Sequence, residues 1–125
     1  MIPEILKYTK EHEWVRIENN VAVVGITDYA QGELGDIVFI ELPRVGTKVE
    51  SMKPFGTIEA VKAISDLFSP VSGEIIETNK DLENDSSVIN SDPYGNGWII
   101  KIRMSNPGQS AGLLTAAQYG ALLGK

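Results

Sequence analysis

Short apolar runs separated by turn-forming residues fill the first part of the chain, a pattern typical of antiparallel β structure. Residues 14–18 and 21–26 are rich in β-branched side chains. Asn19 and Asn20 lie between them, and asparagine is among the non-glycine residues that adopt positive φ at least cost. These two runs therefore predict a β-hairpin.

A short helix is predicted directly after the hairpin. Thr27 or Asp28 can cap it, because each offers a side-chain oxygen to the unpaired N–H groups of a first turn. The helix is expected to run through Gln31, and Gly32 or Gly35 can end it.

The middle of the chain predicts further short strands. Residues 36–42 return to a strand pattern, and beyond them glycine and proline interrupt short apolar stretches at Pro43, Gly46, Pro54, Gly56, Pro70 and Gly73. Such spacing suits a small barrel or sandwich.

The clearest strand lies near the end of the chain, where one face is apolar and the other mostly charged. The apolar face consists of Trp98, Ile100, Ile102 and Met104, and the alternate positions are Ile99, Lys101 and Arg103.

A C-terminal helix is predicted over residues 113–123, packed on the barrel. Thr115 can cap its start, and Gly120 weakens it by about 1 kcal/mol relative to alanine. The apolar residues at helical spacing are Leu114, Ala117, Ala121 and Leu122.

Length and composition indicate one globular domain, residues 1–125, of mainly β class. Hydrophobic residues make up 42% and charged residues 22% of the 125 positions, unlike a disordered chain. No apolar run is long enough to cross a bilayer. The formal net charge of −6 would repel a phosphate backbone, so nucleic acid is not an expected partner. The sequence has no cysteine, which excludes thiolate chemistry.

The N-terminal residues 1–8 lack both a basic region followed by an apolar core and an arginine-rich stretch, so no targeting segment is expected. The expected compartment is the cytoplasm if the source is bacterial or archaeal. It is the mitochondrial matrix if the chain is the processed form of a eukaryotic protein.

The segment 56–76 carries the candidate chemistry. It contains Glu59-Ala60-Val61-Lys62-Ala63, then Ser65-Asp66, then Ser-Pro-Val-Ser-Gly-Glu at 69–74. This segment resembles the attachment hairpin of lipoyl domains, and within that class the H-protein family of the glycine cleavage system. Further stretches resemble H-protein blocks in the same order: 8–14, 24–31, 34–39, 90–94 and 97–101. Several ordered blocks are far more specific than one motif.

The resemblance implies a lipoyl-domain-like barrel-sandwich hybrid of antiparallel strands, with lipoate bound covalently to Lys62. It also implies a non-catalytic carrier that receives an aminomethyl group from the P protein, offers it to the T protein and is reoxidised by the L protein. The resemblance leaves an alternative open, in which an H-like relay passes lipoyl groups to acceptors such as 2-oxoacid dehydrogenases. A small hydrolase or an unmodified interaction module is a third hypothesis.

A lysine suits this role for a physical reason. Its amine is a nucleophile only in the uncharged form, which is rare at neutral pH, so acylation needs a lipoate-attaching enzyme and the protein needs only to present the side chain. Once acylated, Lys62 would become an uncharged arm of roughly 14 Å. A biotin site is disfavoured, because Val61 and Ala63 stand where biotin carriers have methionines.

Two carboxylates are candidates for contact with the loaded arm. The carried aminomethyl group has a positively charged amine, with which Glu13 or Asp66 could pair. Solvation of both, or a turn-capping role for Asp66, is the alternative. Some relatives have a histidine near the end of the first helix, but this chain has Glu33 there, so that contact is not transferred.

The remaining polar motifs predict structure rather than chemistry. His12 is the only histidine and no G-x-S-x-G elbow accompanies it, so it is expected to be a structural or surface residue rather than a catalytic one. Asp81, Glu83 and Asp85 alternate as in a calcium loop, but Ser86 occupies the position of the required glycine. Residues 93–97 are read as a turn into the last strand.

Overall fold

The computed structural model describes residues 2–124, and its strands form two antiparallel sheets. The larger sheet has the strand order β1-β2-β3-β9-β8-β5, and the smaller has the order β4-β6-β7. The strands are β1 (Lys7–Tyr8), β2 (Glu13–Glu18), β3 (Val21–Ile26), β4 (Ile37–Glu41), β5 (Lys48–Val49), β6 (Pro54–Ala60), β7 (Ile64–Phe68), β8 (Gly73–Thr78) and β9 (Ile100–Met104). This is the mainly β architecture that the sequence predicts.

Four short α-helices and one 3-10 helix complete the described part of the chain. They are α1 (Asp28–Leu34), α2 (Asp81–Asn84), α3 (Val88–Ser91), α4 (Ala116–Leu122) and the 3-10 helix Pro107–Gly112. The helices α2 and α3 and the 3-10 helix were not predicted. Each is four to six residues long, too short to show a helical period in the sequence.

The first hairpin confirms its prediction. Strand β2 pairs with β3 from Glu13↔Ile26 to Glu18↔Val21, and Asn19 turns between them with φ of 57°. On its other edge β3 pairs with β9, where Val24 is opposite Ile100.

Helix α1 is longer than predicted. Thr27 caps it by accepting a hydrogen bond from the Ala30 N–H, but the helix continues past Gln31 to Leu34. Gly32 therefore lies inside the helix, and Gly35, with φ of 80°, is the residue that ends it.

The C-terminal helix exists, but its predicted packing face is wrong. The helix α4 begins at Ala116, after the cap Thr115, and its buried residues are Tyr119 and Gly120. The predicted face is largely exposed, and Leu122 keeps 49% of its surface in solvent. Aliphatic spacing was misleading here because the anchor is an aromatic residue with a hydroxyl that needs buried partners.

The core has two parts. The main one fills the space between the sheets and includes Val24, Ile58, Leu67, Ile75 and Ile102. The smaller one lies under α4 and contains Leu6, Tyr8, Trp14, Val23 and Tyr119. The rings of Tyr8 and Tyr119 stack there with centroids 4.7 Å apart, which fixes α4 against the larger sheet beside Glu13.

Candidate functional site

Lys62 is exposed at the bend between β6 and β7. The bend is closed by a hydrogen bond from the Ala60 N–H to the Ala63 carbonyl at 2.7 Å. The Val61 N–H donates to the Asp36 carbonyl at 3.0 Å, which ties the bend to the residue before β4. The backbone around the lysine is thus held from both sides.

The aliphatic stem of Lys62 lies against Gly35. A Cβ atom built on this glycine would approach Lys62 Cε to 3.2 Å. The positive φ of Gly35 is also a conformation that residues with a side chain rarely adopt. Gly35 therefore both ends α1 and leaves room for the stem beside the helix terminus.

A cleft of about 260 Å³ lies between α1, β7 and the start of β2. Its apolar lining comes from Ile26, Ala30, Leu34, Ile58 and Leu67, and its polar lining from Glu11, His12, Glu13, Tyr29, Glu33, Ser65 and Asp66. Leu34 directly precedes Gly35, so the cleft opens beside the residue that contacts the Lys62 stem. The structure thereby brings both predicted carboxylates, Glu13 and Asp66, to one cleft near the lysine.

Glu13 is the buried carboxyl group of this cleft, with 2% of its surface exposed. Its Oε1 accepts a hydrogen bond from the Thr9 hydroxyl at 2.6 Å, and its Oε2 accepts one from the Phe68 N–H at 3.3 Å. Burial raises the pKa of Glu13 to about 8, although both hydrogen bonds oppose the shift. Glu13 is therefore a carboxyl group that can be neutral at pH 7 and ionised beside a cation.

Asp66 occupies a different environment. It is exposed within β7 rather than in a turn, so the turn-capping alternative is wrong. Strand alternation directs its side chain away from the face that buries its neighbour Leu67. Asp66 therefore borders the cleft from its rim, while Glu13 lies inside.

A chain of hydrogen bonds links the cleft to the C-terminal helix. The Tyr119 hydroxyl lies 2.8 Å from His12 Nδ1 and 2.8 Å from the Thr27 hydroxyl, which caps α1. Burial raises the pKa of Tyr119 to about 12. It lowers the pKa of His12, against the opposing effect of Glu11 and Glu33. His12 thus has the structural role predicted for it, and it also lines the cleft.

Two aromatic residues of the site were not predicted from the sequence. Tyr29 lines the cleft, and its ring lies 4.8 Å from that of His12. Tyr119 supports His12 from the opposite end of the chain. The cap at Thr27 could have indicated Tyr29, which is in the first turn of α1, but no signal in the sequence pairs residues 12 and 119.

The other motifs form no site in the described part of the chain. Among residues 2–124, no three His, Asp or Glu side chains are grouped so that they could hold a metal ion. No helix of that range is long and apolar enough to cross a membrane. Residues 93–97 form the predicted turn, and the Pro93 carbonyl accepts a hydrogen bond from Trp14 Nε1 at 2.8 Å.

Comparison with known proteins gives a consistent result. Residues 6–125 match the family model described as glycine cleavage H-protein. The glycine cleavage system H protein of Symbiobacterium thermophilum is 52% identical, over 96% of this chain and 94% of that relative. The protein of the same name from Bacteroides thetaiotaomicron is 53% identical, over 97% of this chain and 96% of that relative. The crystal structure of a glycine cleavage system H protein from Mycobacterium marinum is 38% identical and covers 99% of this chain and 100% of its own, with a TM-score of 0.92.

Proposed function

We propose, from the premise that this chain belongs to the glycine cleavage H-protein family, that Lys62 is its site of covalent lipoate attachment. Family membership makes the chain a lipoyl-bearing shuttle of the glycine cleavage system. The observation that carries the assignment to Lys62 is its exposed position at a bend braced by hydrogen bonds from Ala60 and Val61. A rigid bend suits an enzyme that must bring one amine to an activated carboxyl group.

The carrier role includes no catalytic step of its own. The arm receives the aminomethyl group from the P protein (glycine decarboxylase) and offers it to the T protein (aminomethyltransferase), and the L protein reoxidises it. When bound, the lipoyl group supplies the dithiol and disulfide chemistry of this cycle. A lipoate-attaching enzyme is the further partner. Tethering makes each capture step depend on effective concentration rather than on free diffusion.

The cleft has the properties needed to receive the end of such an arm. Its floor of aliphatic side chains suits an apolar ring, and the carboxyl group of Glu13 lies within the same cleft. In this proposal Glu13 ionises and pairs with the amine of the carried group, and Asp66 adds negative charge at the rim. Pairing in a cleft with little water would slow hydrolysis of the carried group.

Two further points belong to the proposal. Residues 1–125 form one carrier unit with its attachment segment at 56–76, which is supported by the family match over residues 6–125. The compartment is the cytoplasm, which is supported by the bacterial sources of the relatives.

Intact-mass measurement on protein from cells supplied with lipoate tests the assignment. We expect the wild type to gain the mass of one lipoyl group and Lys62→Arg to gain none. Lys80→Arg, which changes another exposed lysine, is the matched control and should be modified like the wild type. Modified wild-type protein should then restore glycine cleavage with purified P, T and L proteins. A wild type that stays unmodified, or a Lys62→Arg variant that is modified, contradicts the proposal.

A further inference from the structure

Four large apolar side chains on β4 and on the hairpin that carries Lys62 are exposed and do not join the core. Val38, Phe39, Val61 and Ile64, here called the hairpin patch, are 56%, 52%, 76% and 67% exposed. Single exposed apolar residues are common on protein surfaces, but a cluster of them at one place indicates an interaction site.

A β-bulge produces half of this patch. The pairing of β4 with β6 shifts register between Ile37 and Phe39. As a result Ile37 and Ile40 are both 3% exposed, while the two residues between them point outward. A regular strand would have turned one of these two side chains into the core. Bulges often redirect side chains next to functional sites, and this one adds a second apolar residue to the surface beside the lysine.

The patch spans the small sheet, with the carboxylate Glu59 lying between two of its apolar side chains. Phe39 is the register partner of Glu59, and Glu59 is the partner of Ile64. Adjacent strands are about 4.8 Å apart, so Phe39 and Ile64 lie about 10 Å from each other on one face. The next row on that face, farther from Lys62, is polar and consists of Glu41, Thr57 and Asp66. The apolar surface is therefore confined to the lysine end of the sheet.

The segments that form this apolar surface contain more acidic than basic residues. The segments 28–43 and 54–76, which contain α1 and the three strands of the small sheet, hold seven Asp and Glu residues. Lys62 is the only lysine or arginine within them, and Arg44 and Lys53 lie immediately outside their bounds. A partner with an apolar centre and a basic rim would complement such a surface.

We propose that the hairpin patch is the docking surface for the lipoate-attaching enzyme. The inference rests on the proposed lipoylation of Lys62. Attachment forms an amide bond from Lys62 Nζ to the carboxyl carbon of lipoate activated as a nucleotide anhydride. The bond between the carboxyl carbon and the phosphate oxygen breaks, the nucleoside monophosphate leaves, and the nitrogen loses a proton.

The short length of the unmodified lysine side chain favours the lipoate-attaching enzyme over the partners that act on the lipoylated arm. The unmodified lysine side chain spans only about 6 Å. The attaching enzyme must therefore lie directly against the residues around Lys62. Enzymes that act on the loaded arm of roughly 14 Å can keep their surfaces farther away.

Kinetics with lipoate, ATP and a purified lipoate-protein ligase test the inference on the unmodified protein. Phe39→Ala/Ile64→Ala removes the two ends of the patch. We expect kcat/KM for lipoylation to fall about ten-fold or more, mainly through KM, which corresponds to a loss of about 1.4 kcal/mol from the two truncated apolar contacts. Added salt should raise KM for the wild type because the rim is charged.

Two further variants make the test specific. Ile5→Ala/Val45→Ala removes apolar side chains that are 86% and 58% exposed outside the small sheet, and should behave like the wild type. Val38→Thr/Val61→Thr/Ile64→Thr keeps β-branched side chains but adds hydroxyl groups, and should slow lipoylation even if the alanine variant is unstable.

The outcomes separate this inference from the proposed function. A wild type that is never modified at Lys62 overturns both. A wild type that is modified at Lys62, together with folded patch variants that have wild-type kcat/KM, overturns the docking surface alone. The docking surface is equally overturned if the folded patch variants are lipoylated normally but, once loaded, react slowly with the P, T or L protein.

Discussion

The hydroxyl of Tyr119 lies 2.8 Å from Nδ1 of His12, a residue 107 positions earlier in the chain. The same hydroxyl lies 2.8 Å from that of Thr27, the cap of α1. One oxygen atom of the C-terminal helix therefore joins two residues that border or support the cleft. The support of the cleft thus depends on the end of the chain as well as on the hairpin.

Removal of this hydroxyl should weaken the fold and loosen α1. Tyr119→Phe keeps the ring stacked on Tyr8 but leaves His12 and Thr27 without that partner, at a cost of about 1–3 kcal/mol. Urea denaturation measures the loss, and amide hydrogen exchange in α1 should become faster. Tyr29→Phe is the control, since its hydroxyl makes only an exposed 3.4 Å contact with Glu33. Equal stability of the two variants would show that the network contributes nothing.

Stability should fall as pH rises toward 8 because of Glu13. Its pKa is about 8 in the folded protein and near 4.5 when unfolded, so between these values the folded state binds more protons. Below pH 6.5 the lowered pKa of His12 acts in the opposite direction, so pH 6.5 to 8 is the informative range. Across it the free energy of unfolding should decrease by up to about 2 kcal/mol.

Denaturation curves at pH 6.5, 7.2 and 8 measure this effect. Glu13→Gln cannot ionise and should show a flat profile over the range. Glu50→Gln, an exposed carboxylate replacement, should retain the wild-type slope. Parallel profiles for the wild type and Glu13→Gln would mean that Glu13 ionises in the fold as it does in water.

Glycine replacements should change stability in opposite directions at the two helices. A Cβ at Gly120, inside α4, would lie 3.5 Å from Ile2 Cδ1 of the N-terminal segment, which is an ordinary van der Waals contact. Gly120→Ala should therefore stabilise the protein by about 0.5–1 kcal/mol. Gly35→Ala forces an alanine into positive φ against the Lys62 stem and should cost about 1–2 kcal/mol. Calorimetric Tm values should move up and down accordingly. A lower Tm for Gly120→Ala would mean that the last turn of the chain is not packed as described.

The local parts of the fold follow from the sequence, while the long-range parts do not. The Asn19 turn and the Thr27 cap are consequences of neighbouring residues, and both were predicted correctly. The packing face of α4 was mispredicted because Tyr119 is buried through contacts with residues more than ninety positions away. A four-residue apolar run at 37–40 predicts a buried strand, and nothing local reveals the bulge that exposes its two central residues.

The residues of the candidate site show the same difference between local and long-range information. Lys62 was selected from its surrounding motif, but one of the two hydrogen bonds that hold its bend comes from Val61 to Asp36, which lies outside that motif. Glu13 was selected by the chemistry that the family resemblance implies, but its burial depends on β7, more than fifty residues away. Asp66 was selected on the same basis, and strand alternation directs its side chain to the other face. A contact between elements distant in sequence has no local signal that could have separated the two carboxylates.

The two carboxylates should differ in how they protect the carried group. A cation in the cleft favours the ionised form of Glu13, so the carboxyl group that is partly neutral when the cleft is empty becomes a partner for the amine. Glu13→Gln keeps the shape but not the charge, and lipoylated, aminomethyl-loaded protein should release formaldehyde and ammonia about ten-fold faster. Asp66→Asn, exposed at the rim, should change the rate by less than about two-fold. Release rates equal to wild type in both variants would leave neither residue with a protective role, and the larger effect in Asp66→Asn would reverse their assignment.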